Sequence, residues 1–434
     1  MTCHKTCDLY ASLIDQLKEK LFDTQFIHRH RIGAHSFTRN RLLPFQTIVL
    51  FLINLIKGSV QDELDHFFKS VHAAETWQRV VTKSAFCRAR MKLSYLVFVE
   101  LNQILIRFFY RHFPVRTWQG FNLMAIDGST VGLPSTPQTF DYFGGVSSRN
   151  KKPYALARVS QLFDVLNHVT IHAQISPLNV GEREMAAEHL RYIRPTDLVL
   201  LDRGYPAFWL FKLILKTGGQ FCARISPRIW NQVGAFHQSG KRESIIQITG
   251  DTLAKKRCRE LGLDHQPITL RLVRIGPEDQ IIITSLIDSS DYPAAIFDDL
   301  YHRRWQVEVD YNRQKNKLLV ENWSGRSVLS VYQDFHAKVF SKNLAAVLIH
   351  PVQDEVDRQE SQRKYKYQVN WTQAISKCKD CVVTLFFSHR ITKIIKALQN
   401  LFRKSMEPIR PGREAPRNNN LVRSNYNHAY KPVR

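Results

Sequence analysis

The sequence predicts an α/β protein: an all-helical N-terminal segment, then a mixed-sheet core that carries a mostly β insertion. Three observations lead there. Apolar residues recur at helical spacing up to about residue 115, and from 116 short runs rich in Val, Ile, Leu and Phe take over. Two of these runs, Leu123-Met124-Ala125-Ile126 and Leu198-Val199-Leu200-Leu201, each end on an aspartate, Asp127 and Asp202. A third acid, Glu308, sits in a helical stretch with Tyr301, Arg304 and Lys315. The expected organisation is a helical domain over 1–115, a core over 116–350 with its insertion at about 226–299, and a C-terminal region over 351–434.

Within the first segment, Pro44 stands where a helix starts, and residues 45–56 are apolar round most of the circumference, as in a buried helix. A second helix is expected over 60–70, with Ser59 as its N-cap. A short basic helix follows at 82–92. Ser84 is its expected cap, and Arg88 and Lys92 share a face. It is either a helix-turn-helix-like DNA reader, with Lys83, Ser84, Arg88 and Lys92 toward DNA, or an ordinary basic surface helix. The next helix, 95–112, turns Val97, Leu101, Leu105 and Phe108 inward.

In the core, strands are expected at 121–127, 155–165, 168–175, 197–202 and 220–225, with helices at 181–192 and 206–216. Three strands, helix, strand, helix, strand is the order of an RNase-H-like core. Such sheets gather ligands at the carboxyl ends of their parallel strands. Residues 245–249, 268–275 and 280–286 read as strands of the insertion, and 335–349 as a closing helix. Beyond 351 come an apolar segment at 382–387 and a helical one at 391–402. From Arg403 onward there are eight Lys or Arg against two Glu, with repeated Pro and Asn, which reads as a basic, disordered tail.

Composition narrows the function. The 434 residues are 44% hydrophobic and 23% charged, enough to fold around a sizeable core. A net charge of +24 favours a polyanionic partner, because Lys and Arg release counterions from nucleic acid. Seven scattered cysteines make no disulfide framework and fit a reducing compartment. The pairs Cys3/Cys7 and Cys378/Cys381 each lack the four ligands of a structural zinc site. His28-Arg29-His30-Arg31 reads as a solvated basic face. No secretory signal is visible, and the apolar stretch at 48–56 is far short of the ~20 residues that cross a bilayer. The expectation is a soluble cytoplasmic protein, nucleoid-associated, with no membrane partner.

If 300–317 is one α-helix, Tyr301, Arg304, Glu308 and Lys315 fall within a sector of roughly 60°, and Asp310 points the opposite way. That face offers a carboxylate flanked by phosphate binders: a guanidinium fork, an ammonium and a phenol. Trp305 lies outside the sector and is expected to pack. Three carboxylates converging in a cleft repel one another unless cations neutralise them. Oxygen-only ligation suits Mg²⁺, or Mn²⁺ in its place. Two such ions about 4 Å apart clamp the attacking and leaving oxygens of a phosphoryl displacement. Asp127 is then expected to bridge both ions, with Asp202 and Glu308 each completing one site. Asp164, Glu182, Glu184, Asp288 and Asp299 read as structural.

The spacing Tyr-x2-Arg-x3-Glu-x6-Lys resembles the Tyr-Arg-Glu-Lys signature of the insertion-sequence-four family of bacterial DDE transposases. Ile126-Asp127-Gly128-Ser129, Gly181-Glu182-Arg183-Glu184 and Leu201-Asp202-Arg203-Gly204-Tyr205 are similar to that family as well, over roughly residues 36–350. The resemblance implies an enzyme that binds the terminal inverted repeats of its element as double-stranded DNA. It implies hydrolysis at the element's end, then attack of the freed 3′-hydroxyl on target DNA, with a homodimer holding two ends. Metal-ligand chemistry alone implies only a phosphodiester nuclease. An aromatic that stacks a flipped base is also implied, with Trp230 one candidate among several. The alternative is a non-mobile DNA-binding regulator derived from a transposase. A ribosome- or RNA-associated protein accounts for the charge but not for the spaced acids.

Overall fold

A computed structural model describes residues 3–39, 41–148, 151–277, 279–359 and 364–410. The chain opens with α1 (Cys3–Phe22), α2 (Thr24–His30), α3 (Phe45–Ile53), α4 (Val60–Val71), α5 (Lys83–Arg90) and α6 (Leu96–His112). Tyr10, Leu13, Ile14, Leu17 and Leu21 form the buried stripe of α1. α3 follows Pro44 and is buried almost all round, as its composition requires. In α6, Val97, Leu101, Leu105 and Phe108 are buried.

Three N-terminal expectations change. Ser59 holds the N-cap position of α4 but makes no capping bond. The buried Glu63 carboxylate accepts from the Lys57 and Gly58 amides instead, at 2.9 and 2.8 Å. Ser84 does not cap α5. Thr82 does, accepting from the Ala85 amide at 3.2 Å, because the helix begins one residue before Ser84. His30 is not on a solvated face: it is buried, with Nε2 2.8 Å from Glu100.

Next come β1 (Asn122–Gly132), α7 (Pro137–Phe143), β2 (Gly145–Ser148), β3 (Lys151–Asp164), β4 (Val169–Ser176), α8 (Glu182–His189) and β5 (Asp197–Leu201). Then follow α9 (Phe208–Lys216), β6 (Gln220–Ile225), α10 (Asn231–Gln238), β7 (Glu243–Ile248), α11 (Thr252–Glu260), β8 (Ile268–Ile275) and β9 (Gln280–Thr284). The sheet order is β2-β3-β1-β5-β6-β9-β8-β7, with β4 on β3. β1, β5 and β6 are parallel neighbours. β9, β8 and β7 continue the sheet antiparallel. The insertion's strands therefore extend the core sheet, and α10 and α11 lie among them.

The remaining elements are α12 (Phe297–His302), α13 (Gln306–Asn316), α14 (Val328–Arg358), β10 (Lys366–Val369), α15 (Trp371–Phe387), α16 (Ile391–Lys404) and β11 (Met406–Ile409). Residues 300–317 are not one α-helix. A tighter 3₁₀ turn, Arg303–Trp305, separates α12 from α13, so the helical-wheel angles of a continuous helix do not carry across it. The basic tail does not begin at Arg403. Arg403 lies in α16 and pairs with Glu355 at 2.7 Å, and β11 pairs antiparallel with β10. Residues 411–434, the rest of that stretch, lie outside the described residues. Among the described residues no helix is long and apolar enough to cross a membrane.

The chain forms two compact units, one of residues 1–114, 131–156 and 312–434, the other of 115–130 and 157–311. In the first, α14 is the buried axis. Arg90 meets Asp334 at 2.9 Å with both side chains buried, and Asn343 meets Asn102 at 2.7 Å. In the second, residues 123–126 and 198–201 are buried on both faces, the usual state of central parallel strands.

α14 runs through Pro351, where the closing helix was expected to end. Proline has no N–H to give the Val347 carbonyl four residues back. Tyr10 Oη donates to that carbonyl at 2.7 Å. Tyr10→Phe should therefore cost about 1–3 kcal/mol, the range for orphaning a buried acceptor. In a Pro351→Ala background the restored N–H should shrink that cost. Urea melts of the four chains in this cycle check it, and an unchanged cost in both backgrounds would reject the substitution of one donor for the other.

Candidate active site

The parallel register builds the site. Ile126 of β1 pairs with Leu201 of β5, so Asp127 and Asp202 come next, side by side: Asp202 just past the end of β5, and Asp127 inside β1, where its pairing with β5 stops, rather than at the expected strand end. Leu201 pairs in turn with Ala223 of β6, which brings Arg224 next to Asp202. Arg224 Nη2 donates to Asp202 Oδ1 at 3.0 Å. β1 runs on past Asp127 to Gly132. The Asp127 carbonyl accepts from Tyr311 Oη at 2.8 Å and from Ser160 Oγ at 3.2 Å.

Glu308 lies in the first turn of α13, where the helix dipole favours an acid. Arg304, in the 3₁₀ turn, is buried and donates from Nη2 to Glu308 Oε1 at 2.7 Å. Its guanidinium also sits 5.7 Å from the centre of the Tyr301 ring. Tyr301 is buried too, and its hydroxyl donates to Asp202 Oδ1 and to the Leu201 carbonyl, each at 3.4 Å. The expected phosphate binders Arg304 and Tyr301 thus serve the acids here. Lys315 sits in the last turn of α13, partly exposed, in the segment that belongs to the first unit.

Electrostatics tie the three acids together. The Asp127 carboxyl is raised from 3.8 to about 6. Burial is the largest cause; the Arg304 charge and the Gly128 amide oppose it, and the charges of Glu308 and Asp202 reinforce it. Among the described residues, however, no three His, Cys, Asp or Glu side chains are gathered so as to hold one metal ion. Asp202 and Glu308 are drawn to their arginines instead. The donor set still suits a hard divalent cation, being carboxylate oxygen throughout. Tyr205 adds a second sign. Its hydroxyl is buried without a hydrogen-bond partner among the described residues, and the charges of Asp127, Glu182 and Asp202 all act on it. A ligand oxygen would satisfy that donor.

Sequence reasoning missed four of these groups. Arg224 carried a signal, an arginine in the otherwise apolar strand Phe221-Cys222-Ala223-Arg224-Ile225. Tyr311 carried none beyond adjacency to the Glu308 motif, and Tyr205 stood within the motif Leu201-Asp202-Arg203-Gly204-Tyr205 with no role assigned to it. Glu182 is expected to be structural, yet a Cβ on Gly128 would lie 3.3 Å from its Oε1, so it stands against the β1 backbone just after Asp127. Asp164, expected to be structural, and Asp310, expected to face away from the site, both bond elsewhere. Asp164 caps the turn through Leu166 and Asn167, and Asp310 is buried and accepts from Gln161 at 3.1 Å. Trp305 does not pack inward: it is 48% exposed, because the 3₁₀ turn swings it outward. Trp230 precedes α10 with its ring 6.0 Å from that of Phe211.

A second basic feature lies in the helical segment. Arg88 and Lys92 line a cavity of about 1060 Å³ together with Arg39, Arg41, Arg79 and Phe37, and among the described residues no acid lines it. Lys83 and Ser84 are exposed at the start of α5 but do not line it. The connection from α4 to α5, residues 72–82, is longer than the turn of about 3–4 residues typical of a helix-turn-helix.

Residues 118–344, more than half the chain, match the family described as "Transposase DDE domain". The transposase InsG for insertion sequence element IS4 of Escherichia coli (strain K12) is 23% identical over 304 residues, 68% of this chain and 67% of that one. The putative transposase InsZ of the same organism is 23% identical over 213 residues, 48% of this chain and 69% of that one. Among solved structures, a chain of the piggyBac transposase synaptic complex with hairpin DNA aligns with a TM-score of 0.44 at 8% identity, over 90% of this chain and 85% of that one. The matched segment contains both strand-end aspartates and the Glu308 helix, and the chain belongs to the DDE transposase family, metal-dependent enzymes that cut and transfer DNA strands.

Proposed function

We propose that this transposase cuts at the terminal inverted repeats of an insertion sequence and joins the freed ends to target DNA, with Asp127, Asp202 and Glu308 as its catalytic acids. One observation carries the reading: the β1–β5 register sets Asp127 and Asp202 side by side, and the Glu308 charge acts on the same carboxyl. The three carboxylates would hold two divalent cations, Mg²⁺ or Mn²⁺, with Asp127 shared between them. Bound there, the cations supply charge neutralisation and an activated oxygen for in-line displacement.

In the first reaction water adds to the phosphorus at the element's end and gives up a proton, the bond to the 3′ oxygen breaks, and that oxygen takes up a proton to become the free 3′-hydroxyl. In the second, the new 3′-hydroxyl adds to a target phosphorus, gives up its proton and displaces the target's own 3′ oxygen. Arg304 and Arg224 neutralise the acids in the free protein. With the acids neutralised by cations, Arg304 and Tyr301 become donors for phosphates of the element end. Lys315 is assigned the same role from the sequence signature. Lys83, Ser84, Arg88 and Lys92 are assigned to repeat recognition, and the acid-free cavity beside Arg88 and Lys92 supports a phosphate-bearing partner. Two copies acting together would hold two ends, in the cytoplasm at the nucleoid.

Nicking of a terminal-repeat duplex with Mg²⁺ tests the reading. Asp127→Asn, Asp202→Asn and Glu308→Gln should each lose more than roughly 100-fold in cutting, since loss of even a supporting partner of a metal ligand costs 10–100-fold. Gel-shift affinity for the same duplex should hold. Binding without cutting by the unaltered chain would favour the DNA-binding regulator.

Arg304→Ala and Lys315→Ala should flatten the dependence of end binding on salt, by about 0.9 in log–log slope for each duplex phosphate that is no longer neutralised. An unchanged slope in a salt series would remove these residues from the phosphate-binding set.

Asp127 also predicts a pH effect. Its folded carboxyl titrates near 6 rather than 3.8, so the folded chain retains a proton that the unfolded chain has released. Its contribution therefore lowers stability as pH rises from about 4 to about 6, and the full cost remains above that. After discounting for solvent screening, Asp127→Asn should stabilise the chain by roughly 1–2 kcal/mol at neutral pH and by little at about pH 3.5. Excess Mg²⁺ should raise the Tm of the unaltered chain more than that of the variant. Equal stability of the two chains at neutral pH, with equal response to Mg²⁺, would remove Asp127 from the site.

A further inference from the structure

Beneath Asp127 a buried hydrogen-bond chain runs back through the second unit. Ser160 Oγ, on β3, donates to the Asp127 carbonyl at 3.2 Å. His189 Nε2, at the end of α8, lies 2.9 Å from Ser160 Oγ. His189 Nδ1 lies 2.9 Å from His172 Nδ1, on β4. Ser160 and His189 are both buried. The His172 ring stacks on Tyr192 at 4.4 Å between centres, which holds its plane.

Proton counting orients the whole chain. A hydroxyl has one proton, and a carbonyl can only accept, so the Ser160 proton points at Asp127. His189 Nε2 must then carry a proton and donate it to Ser160. A neutral imidazole with Nε2–H has a bare Nδ1, which accepts from His172 Nδ1–H. A cationic His189 would instead need His172 to turn a bare Nδ1 toward it. Burial opposes that state as well, holding His189 well below the ordinary histidine range.

The hydrogen-bond chain acts where β1 outruns its β5 partner and runs on to Gly132 beside β3. The β1–β5 ladder ends at the pair Ile126–Leu201, one residue before Asp127. There the Asp127 carbonyl accepts from side chains of two different elements, Ser160 and Tyr311. We propose that Ser160 and His189, oriented by His172, are positioning residues that hold the backbone of Asp127 and so aim its carboxylate at the metal and phosphate. This rests on the reading of Asp127 as a catalytic acid.

The test compares Ser160→Ala, His189→Leu and His189→Gln with the unaltered chain. Leucine removes both ring nitrogens, whereas the glutamine amide can restore the donor toward Ser160. Three measurements are made: Mg²⁺-dependent nicking of terminal-repeat DNA, gel-shift affinity for that DNA, and Mn²⁺ affinity from the free-ion electron paramagnetic resonance signal. Ser160→Ala and His189→Leu should weaken Mn²⁺ binding and cutting about 10-fold or more, the usual effect of losing a partner behind a metal ligand, with DNA affinity unchanged. His189→Gln should recover most of the loss. Ser160→Ala removes a single oxygen, so it carries the test even if His189→Leu melts below the assay temperature. Nitrogen-15 spectra of histidine-labelled protein should show His189 neutral with its proton on Nε2. Mn²⁺ affinity of folded Ser160→Ala within twofold of the unaltered chain, or a proton on His189 Nδ1, would overturn the proposal. If instead Asp127→Asn itself cuts normally, the catalytic reading fails, and the positioning proposal fails with it.

Discussion

Three carboxylates cannot share a partly buried cleft without opposite charge, and much of the site's architecture answers that constraint. Asp202 is held by Arg224 and touched by Tyr301, and Glu308 is held by Arg304. Asp127 has no arginine bonded to its carboxylate among the described residues, and it is the acid whose titration is displaced upward. The two arginines come from different kinds of element, one from a strand and one from a 3₁₀ turn. Burying an arginine such as Arg304 demands a carboxylate within reach, so each supports the other's burial. In the proposed reading the same acids that cost stability in the free protein would receive cations, so stability and function would be opposed at Asp127.

Much of this was legible in the sequence. Apolar runs ending on Asp127 and Asp202 pointed to parallel strands with adjacent acids, although β1 continues past Asp127 to Gly132. The buried stripes of α3 and α6 followed from spacing. What stayed hidden depends on pairing between distant segments. Arg224 becomes meaningful only once Leu201 is known to lie opposite Ala223. The break at Arg303–Trp305 left no proline or glycine to mark it, so a continuous helix was the natural expectation and Trp305 was assigned inward. The closing helix was expected only over 335–349, because the donor that lets it run on through Pro351, Tyr10 on the Val347 carbonyl, is hundreds of residues away in the chain. The His172–His189–Ser160 chain joins two strands and a helix, and no local pattern encodes it.

The helical segment shows the difference between a position and a mechanism. Ser59 stands at the head of α4, but Glu63 satisfies the preceding amides and is itself paired with Lys379 at 2.9 Å. That contact links the early helices to α15, so a capping residue chosen from local sequence was displaced by a tertiary one. Arg88 and Lys92 keep their basic character and gain a lined cavity, with arginines from two loops completing it.

The division of the chain has a consequence for how the protein is made. The first unit takes residues from three separated stretches, 1–114, 131–156 and 312–434, whereas almost all of the second comes from 115–311. A ribosome releases the second unit's sheet before α14 exists. Until then α3 has no Ser341 hydroxyl for its Ile53 carbonyl, Arg90 has no Asp334, and the apolar faces of the early helices remain uncovered. The order of synthesis therefore runs against the order of burial. The nascent chain must carry an exposed helical layer through most of translation, the interval in which chaperone capture or aggregation competes with completion of the fold.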